Sequence, residues 1–265
     1  MATFSAEAAA KFLADDHANG SQYKNLSDSL APRTIEEAYD VQEALRDLWL
    51  PSRGQIAGLK IATTTKVMQD LMGIDHPCGG MIFANTIHSA SANLPATLKA
   101  ADYIHPVIEC ELAVRMARDL PLRDKPYSPE DARAAVGTVM AAYEIIEDRH
   151  AVYAECEVRT LIADNAWNGG IVIGPEQIVS ASMDLNGLTG RLTKNGAISN
   201  EGKTDDPMGA LAWVANLAAS RGRPLKADMV VITGSLLPTF GLEPNDHILF
   251  EIEGVGQTEL IFKDA

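Results

Sequence analysis

The 265-residue chain predicts an α+β fold, a helical N-terminal portion packed on a mixed β-rich body, and three observations carry that prediction. Helical signals crowd the first 78 residues. Short β-branched runs bounded by turn residues fill 79–265. The 46% apolar content suffices for one large core, or for a small portion packed on a larger one. No repeat, low-complexity segment or Pro- or Ser-rich linker intervenes, so 1–78 and 79–265 are expected to pack as one unit.

The elements follow in order. Residues 5–18 form an alanine-rich helix ending near Gly20. Thr34-Ile35-Glu36-Glu37 is a capping box, and Ile35, Ala38, Val41, Leu45 and Leu48 then recur at helical spacing until Pro51, where the helix is expected to stop. The segment 55–62 reads as a strand with Lys60 between apolar neighbours, and a short helix over 66–72 ends at Gly73. Strands are predicted near 81–84 and over 107–116. Ser128-Pro129-Glu130-Asp131 opens another helix, with an N-cap, Pro at the first position and acids in the first turn. A further strand carries 142–147. Beyond it, short apolar runs predict strands at 161–163, 170–173, 229–233, 248–252 and 259–262, with a hairpin about Asn195-Gly196. One helix interrupts them, from Asp206-Pro207 to Arg221, closed by Gly222.

A formal charge of −14 without clustered Lys and Arg argues against nucleic acid and against anionic membrane surfaces. A small molecule is the expected partner. The opening Met-Ala-Thr-Phe-Ser-Ala-Glu has no basic segment followed by an apolar one, and no later apolar run approaches bilayer-spanning length, so a cytoplasmic protein is expected. The three cysteines, Cys78, Cys110 and Cys156, are widely spaced, which argues against a disulfide framework or a zinc site.

Chemistry is concentrated in His105-Pro106-Val107-Ile108-Glu109-Cys110-Glu111-Leu112-Ala113-Val114. Side chains two apart on a strand share a face, so Glu109 and Glu111 point together and Cys110 points away. Among apolar neighbours, two unneutralised carboxylates are costly, and a divalent cation would relieve them. A solvated strand edge is the competing reading of the pair.

Five segments in register bear a family resemblance: Gly58-Leu59-Lys60-Ile61 with Met68-Gln69, Gly73 and Pro77; Glu109-Cys110-Glu111-Leu112-Ala113; Tyr143-Glu144-Ile145-Ile146-Glu147-Asp148-Arg149; Ala163-Asp164-Asn165-Ala166; and Thr233-Gly234-Ser235-Leu236. Over almost the whole chain the order and spacing resemble the 2-keto-4-pentenoate hydratases and 4-oxalocrotonate decarboxylases of the fumarylacetoacetate hydrolase superfamily. Asn245-Asp246-His247-Ile248 and Gly254-Val255-Gly256 resemble its terminal strand pair. The resemblance implies a β-sandwich roll of that type, and a metal site of Glu109, Glu111 and Glu144, with Glu147 the alternative third ligand. Oxygen-only ligands suit Mg²⁺ or Mn²⁺, and a 2-oxo acid can chelate such an ion through two oxygens. Three carboxylates and a substrate carboxylate sum to about −4 against +2, so a fixed cation is expected nearby, and Lys60 is the candidate.

The implied reaction is addition of water to a 2-hydroxy-2,4-dienoate through its 2-oxo-3-enoate tautomer, giving a 4-hydroxy-2-oxo acid in aromatic-compound catabolism. Lys60 would stabilise the enolate charge that develops on the 2-oxo oxygen. The same stabilisation serves decarboxylation of a 2-oxo-3-enedioate, so that activity, acylpyruvate hydrolysis and a non-catalytic partner subunit are the alternatives. A decarboxylase should show an extra cation in its pocket, with Arg149 and Lys66 as candidates. A homo-oligomer is expected, with association with a related subunit as a further option.

Related hydratases carry polar substrate- or water-contacting residues in the segment here occupied by Asp164 to Gly169. The resemblance thus places Asn165 and Asn168 at the pocket mouth as catalytic residues, with Asp164, Trp167 and Ser235 contacting substrate. Trp167 stands where many relatives have serine, and would fill part of the pocket or stack on a flat substrate. Ala62 replaces a frequent glycine beside Lys60. No histidine is assigned a role: His76 lacks a partner, His105 is separated from Glu109 by Pro106, and His17 and His150 read as ordinary.

Overall fold

The computed structural model describes residues 3–180 and 182–264. Ser5 and Thr34 accept hydrogen bonds from Ala8 N and Glu37 N, capping helices α1 (Ala6–Ala18) and α2 (Ile35–Arg53) as their sequences require. α2 continues through Pro51 instead of stopping there, and ends at Gly54 with φ 81°. Pro51 sits exposed in the last turn, so its missing N–H removes one hydrogen bond where the helix is already ending. The chain then forms β1 (Ile56–Ala62), α3 (Lys66–Met72), β2 (Cys78–Phe83), β3 (Ile87–Ser89), β4 (Ala96–Lys99) and β5 (Pro106–Met116). The Ser128 capping box opens only a five-residue helix, α4 (Pro129–Arg133), followed by β6 (Val136–Glu147).

Residues 161–163 are not a strand but the end of α5 (Val158–Ala163), in which every residue except Arg159 is buried. A helix enclosed on all sides shows no apolar period, so its sequence is indistinguishable from a buried strand. After it come β7 (Asn168–Ile173), β8 (Gln177–Ile178), the hairpin of β9 (Thr189–Lys194) and β10 (Ala197–Lys203), α6 (Pro207–Ser220), β11 (Val230–Ser235), β12 (Phe240–Gly241), β13 (His247–Ile252) and β14 (Gly256–Lys263).

Two mixed sheets result. The larger runs β2-β1-β11-β5-β6-β7-β3, with β12 on β5 and β8 on β6; the smaller runs β10-β9-β13-β14-β4. Between them lies the main core, where Cys110, Leu112 and Tyr143 of the large sheet meet Phe250, Leu260 and Phe262 of the small one. Helices α1 and α2 cover the β2 edge, burying Leu13, Val41, Leu45 and Trp49 against Met81 and Phe83. β1, from the helical portion 1–78, pairs with β2 and with β11, so the large sheet runs across the division between 1–78 and 79–265.

Candidate active site

β5 lies between β11 and β6 in the large sheet, so its side chains are held by neighbours on both sides. Ile108, Cys110, Leu112 and Val114 face the core. Glu109 and Glu111 therefore point to the opposite face, where the register sets Glu109 across from Glu144 of β6. One carboxylate oxygen from each of the three glutamates falls within 4.8 Å of the others. Glu111 and Glu144 have no solvent exposure at all.

Each carboxylate has one oxygen engaged by the protein. Glu109 Oε1 accepts from Thr239 Oγ1 (2.7 Å), Glu111 Oε2 from Gly234 N (2.7 Å), and Glu144 Oε1 from Asn168 Nδ2 (2.9 Å). Glu111 Oε1 and Glu144 Oε2 are buried without any partner. Two like charges at such a separation repel by about 3–4 kcal/mol at an effective dielectric near 20. Burial, then the Glu144 and Glu109 charges, push the Glu111 carboxyl well above the usual range. Glu144 is pushed up to about 7 by burial, against the opposing pull of Lys60. Orphaned acceptors on clustered oxygen donors fit a hard divalent cation such as Mg²⁺ or Mn²⁺.

Lys60, on β1, is 1% exposed, and its Nζ lies 2.8 Å from Glu144 Oε1 and 3.0 Å from the Ala166 carbonyl oxygen, to which it donates. Burial lowers its affinity for a proton, but Glu144 and Glu109 outweigh that and hold the ammonium protonated. The stem of Lys60 crosses Gly80, where a Cβ would lie 3.1 Å from Lys60 Cγ and 2.7 Å from the Asn165 carbonyl oxygen. Only glycine fits that crossing.

The Ala166 carbonyl is aimed by three consecutive left-handed residues, Asn165, Ala166 and Trp167, with φ of 53°, 46° and 57°. That conformation costs roughly 1–2 kcal/mol per non-glycine residue. Asn165 offsets it by clasping β2 through both amide atoms, accepting from Met81 N (2.7 Å) and donating to Met81 O (2.9 Å). Behind the turn, buried Asp164 pairs with Arg149 Nη2 (2.5 Å) and His17 Nε2 (2.6 Å). Burial raises the Asp164 carboxyl, yet His17 and Arg149 outweigh it and hold it below the ordinary range.

A cavity of about 270 Å³ opens onto Glu109 and Lys60, with Glu111 and Glu144 buried outside its lining. Lys60, Glu109, Ser235 and Tyr153 line it with the apolar walls of Met68, Met72, Ile146, Leu161 and Trp167. Lys60 is the only cationic side chain lining it among the described residues. Trp167 is 4% exposed, wedged edge-to-face between Tyr23 and Tyr153 at 5.0 and 5.4 Å, so it fills pocket volume.

The structure thus brings Glu109, Glu111, Glu144, Lys60, Trp167 and Ser235 together. It does not put Asn165 and Asn168 at the pocket mouth, nor Asp164 on the pocket wall where it could contact substrate. All three are buried, Asn165 on the backbone of β2, Asn168 on Glu144 and Asp164 on the Arg149–His17 pair. Short polar residues in a turn-like stretch look solvent-bound in sequence, and here they satisfy buried backbone and charge instead. Tyr153, Thr239 and the Gly234 amide join the site without having been anticipated. For Gly234 the Thr233-Gly234-Ser235-Leu236 segment was the available signal; Tyr153 and Thr239 are brought in by tertiary pairing alone.

The family model for the fumarylacetoacetate (FAA) hydrolase C-terminal matches residues 63–261. The chain is 30% identical over 243 residues to 2-hydroxyhexa-2,4-dienoate hydratase of Comamonas testosteroni, covering 90% of each. It is 30% identical over 262 residues to 2-keto-4-pentenoate hydratase 1 of Dechloromonas aromatica (strain RCB), covering 97% of each. Among solved structures, 4-oxalocrotonate decarboxylase from Pseudomonas putida G7, complexed with magnesium and adipate, superposes with a TM-score of 0.85 at 25% identity over 97% of both chains. With the matched model spanning most of the chain and the three glutamates gathered beside Lys60, the chain belongs to the fumarylacetoacetate hydrolase family.

Proposed function

We propose that the protein is a divalent-metal-dependent hydratase that adds water to a 2-hydroxy-2,4-dienoate with an uncharged tail, giving a 4-hydroxy-2-oxo acid. The observation that carries this reading is the triad of Glu109, Glu111 and Glu144 beside Lys60, under a pocket whose remaining walls hold no second cation among the described residues. Relatives with hydratase names, matched over nearly their full length, support the reaction type.

The three glutamates would hold the ion, leaving positions for a substrate's carboxylate and 2-oxo oxygens. When bound, Mg²⁺ or Mn²⁺ supplies the Lewis-acid pull on those two oxygens that makes the far end of the conjugated system electrophilic. Lys60, fixed by Glu144 and Ala166 O, holds its positive charge where the 2-oxo oxygen becomes an enolate. Met68, Met72, Ile146 and Leu161 take the hydrocarbon tail. The wall formed by Trp167, clamped by Tyr23 and Tyr153, limits tail length.

Decarboxylation of a dicarboxylic relative is disfavoured by where its candidate cations lie. Arg149 is fully buried on Asp164, outside the pocket lining, and the Lys66 side chain is 74% exposed beside Asp70. The test is turnover of freshly generated 2-hydroxypenta-2,4-dienoate by purified protein with Mg²⁺ and then with chelator, with products identified by mass. Chelator-sensitive formation of 4-hydroxy-2-oxopentanoate is expected. Metal-loaded protein that leaves the dienoate unchanged but decarboxylates 4-oxalocrotonate would overturn the assignment.

A further inference from the structure

The three glutamates differ in how firmly each is held. Glu144 Oε1 has two partners, Asn168 Nδ2 at 2.9 Å and Lys60 Nζ at 2.8 Å, and the residue is fully buried. Glu111 Oε2 accepts from the backbone N–H of Gly234. Gly234 has φ 105°, and a Cβ there would lie 3.3 Å from Thr64 Cγ2, so the position keeps glycine and the N–H keeps its aim. Glu109 is half-buried, lines the pocket, and is held by one hydroxyl, that of Thr239, at 2.7 Å.

Thr239 is delivered by the segment between β11 and β12. Ser235 of β11 lies in register with Glu111, the Leu236 N–H donates to Cys110 O at 2.8 Å, and Phe240 of β12 pairs with Ile108. The segment is thus fastened to β5 on both sides of the hydroxyl. Thr239 itself is exposed, so its side chain stands against Glu109 without being wedged by the core.

A carboxylate meets a cation with one oxygen or with both. Mg²⁺ requires near-octahedral geometry at about 2.0–2.1 Å, which suits single oxygens, whereas Ca²⁺ accepts more oxygens at about 2.3–2.6 Å and takes two from one carboxylate. An oxygen turned to a protein donor is withheld from such pairing. Glu111 and Glu144 are held by a backbone amide and by a doubled contact, so Glu109 alone has a binding mode that one replaceable side chain decides.

Resting on the reading of these glutamates as the ion's ligands, we propose that the Thr239 hydroxyl confines Glu109 to one oxygen and so sets the site's preference for Mg²⁺ over Ca²⁺. Thr239 is a positioning residue: it does not touch the ion but acts through Glu109. Without the hydroxyl, Glu109 Oε1 is free to turn inward beside Oε2, adding a ligand atom that a large ion uses and a small octahedral one does not. The same restraint keeps a position open for a chelating substrate.

The test measures Mg²⁺ and Ca²⁺ dissociation constants by calorimetry on the full chain, in wild type, Thr239→Val and Thr239→Ser, with thermal melts verifying the fold of each. Valine keeps the shape and removes the donor; serine keeps the donor. Thr239→Val is expected to shift the ratio of the two constants toward Ca²⁺ by about tenfold, and Thr239→Ser to stay within about threefold of wild type. A merely structural role would weaken both ions alike and leave the ratio where it was. The proposal is overturned if Thr239→Val shifts the ratio by less than about threefold, or if Thr239→Ser shifts it by more than that. Glu109→Gln separates this from the ligand assignment. Weakened binding of both ions in that variant, with the ratio unmoved in Thr239→Val, sinks the positioning role and keeps the metal site. Binding by Glu109→Gln as tight as by wild type, or no binding by wild type, sinks both.

Discussion

Glu144 offers the sharpest quantitative test, because its fully buried carboxyl is pushed from the ordinary 4.5 up to about 7 when no metal opposes the neighbouring charges. A folded-state value raised above the unfolded one means that the fold favours the protonated form. The stabilisation from this group is present below about pH 4.5 and is lost as pH rises through about 7. The full swing is about 3 kcal/mol, of which about 2 kcal/mol falls between pH 5.5 and 8. Glu111 is shifted in the same direction and adds to it. Urea unfolding in the presence of chelator, followed by the fluorescence of buried Trp49 and Trp167, should therefore show the protein weakening across that interval. Glu144→Gln, which cannot titrate, should flatten the dependence. Mg²⁺ at a hundred times its dissociation constant should restore about 2.7 kcal/mol at pH 8 to the wild type and far less to the variant. A chelated wild type whose stability is level from pH 5.5 to 8 would refute the electrostatic reasoning, and with it the argument that this cluster awaits a cation.

Three further outcomes are expected. Lys60→Met should lower kcat at least about 10²-fold while the Mg²⁺ dissociation constant, read by calorimetry, moves less than about fivefold, since the ammonium serves developing charge rather than metal capture. Trp167→Ser should raise kcat/KM for dienoates with longer alkyl tails relative to the pentadienoate by about fourfold per added methylene, read from competing substrates; an unchanged tail preference would remove Trp167 as the wall. Arg149→Met should cost about 3–5 kcal/mol in urea, because it leaves the Asp164 carboxylate buried with only His17 to pair it.

What could be read from the sequence was periodic or local. The alternation along Glu109-Cys110-Glu111 placed both acids on one face and the thiol on the other, and Thr34 caps α2 where the sequence opened it, although Glu37 accepts from Arg33 N and so leaves the capping box half formed. What escaped was set by burial and by distant pairing. Leu161 to Ala163 belong to a helix enclosed on all sides, so no stripe betrayed it. β4 pairs in parallel with β14 across most of the chain, a contact without local trace. Asp164 and Asn165 look like turn residues beside a substrate, yet the one neutralises a buried arginine and the other knits its turn to β2. His17, unremarkable in its helix, completes that buried charge set, and His105 reaches Asp148 only because β5 and β6 run side by side.

The left-handed run of Asn165, Ala166 and Trp167 joins two properties that could otherwise drift apart. The same three peptide units orient the carbonyl that steadies the Lys60 ammonium and present the side chain that, on the proposed function, would limit the substrate's tail. An insertion, a deletion or a proline there would disturb charge stabilisation and selectivity together. Exchanging only the side chain at position 167 leaves the carbonyl where it is. On the proposed function, diversification toward new substrates would be channelled into one position, with the chemistry insulated from it by the backbone that both share.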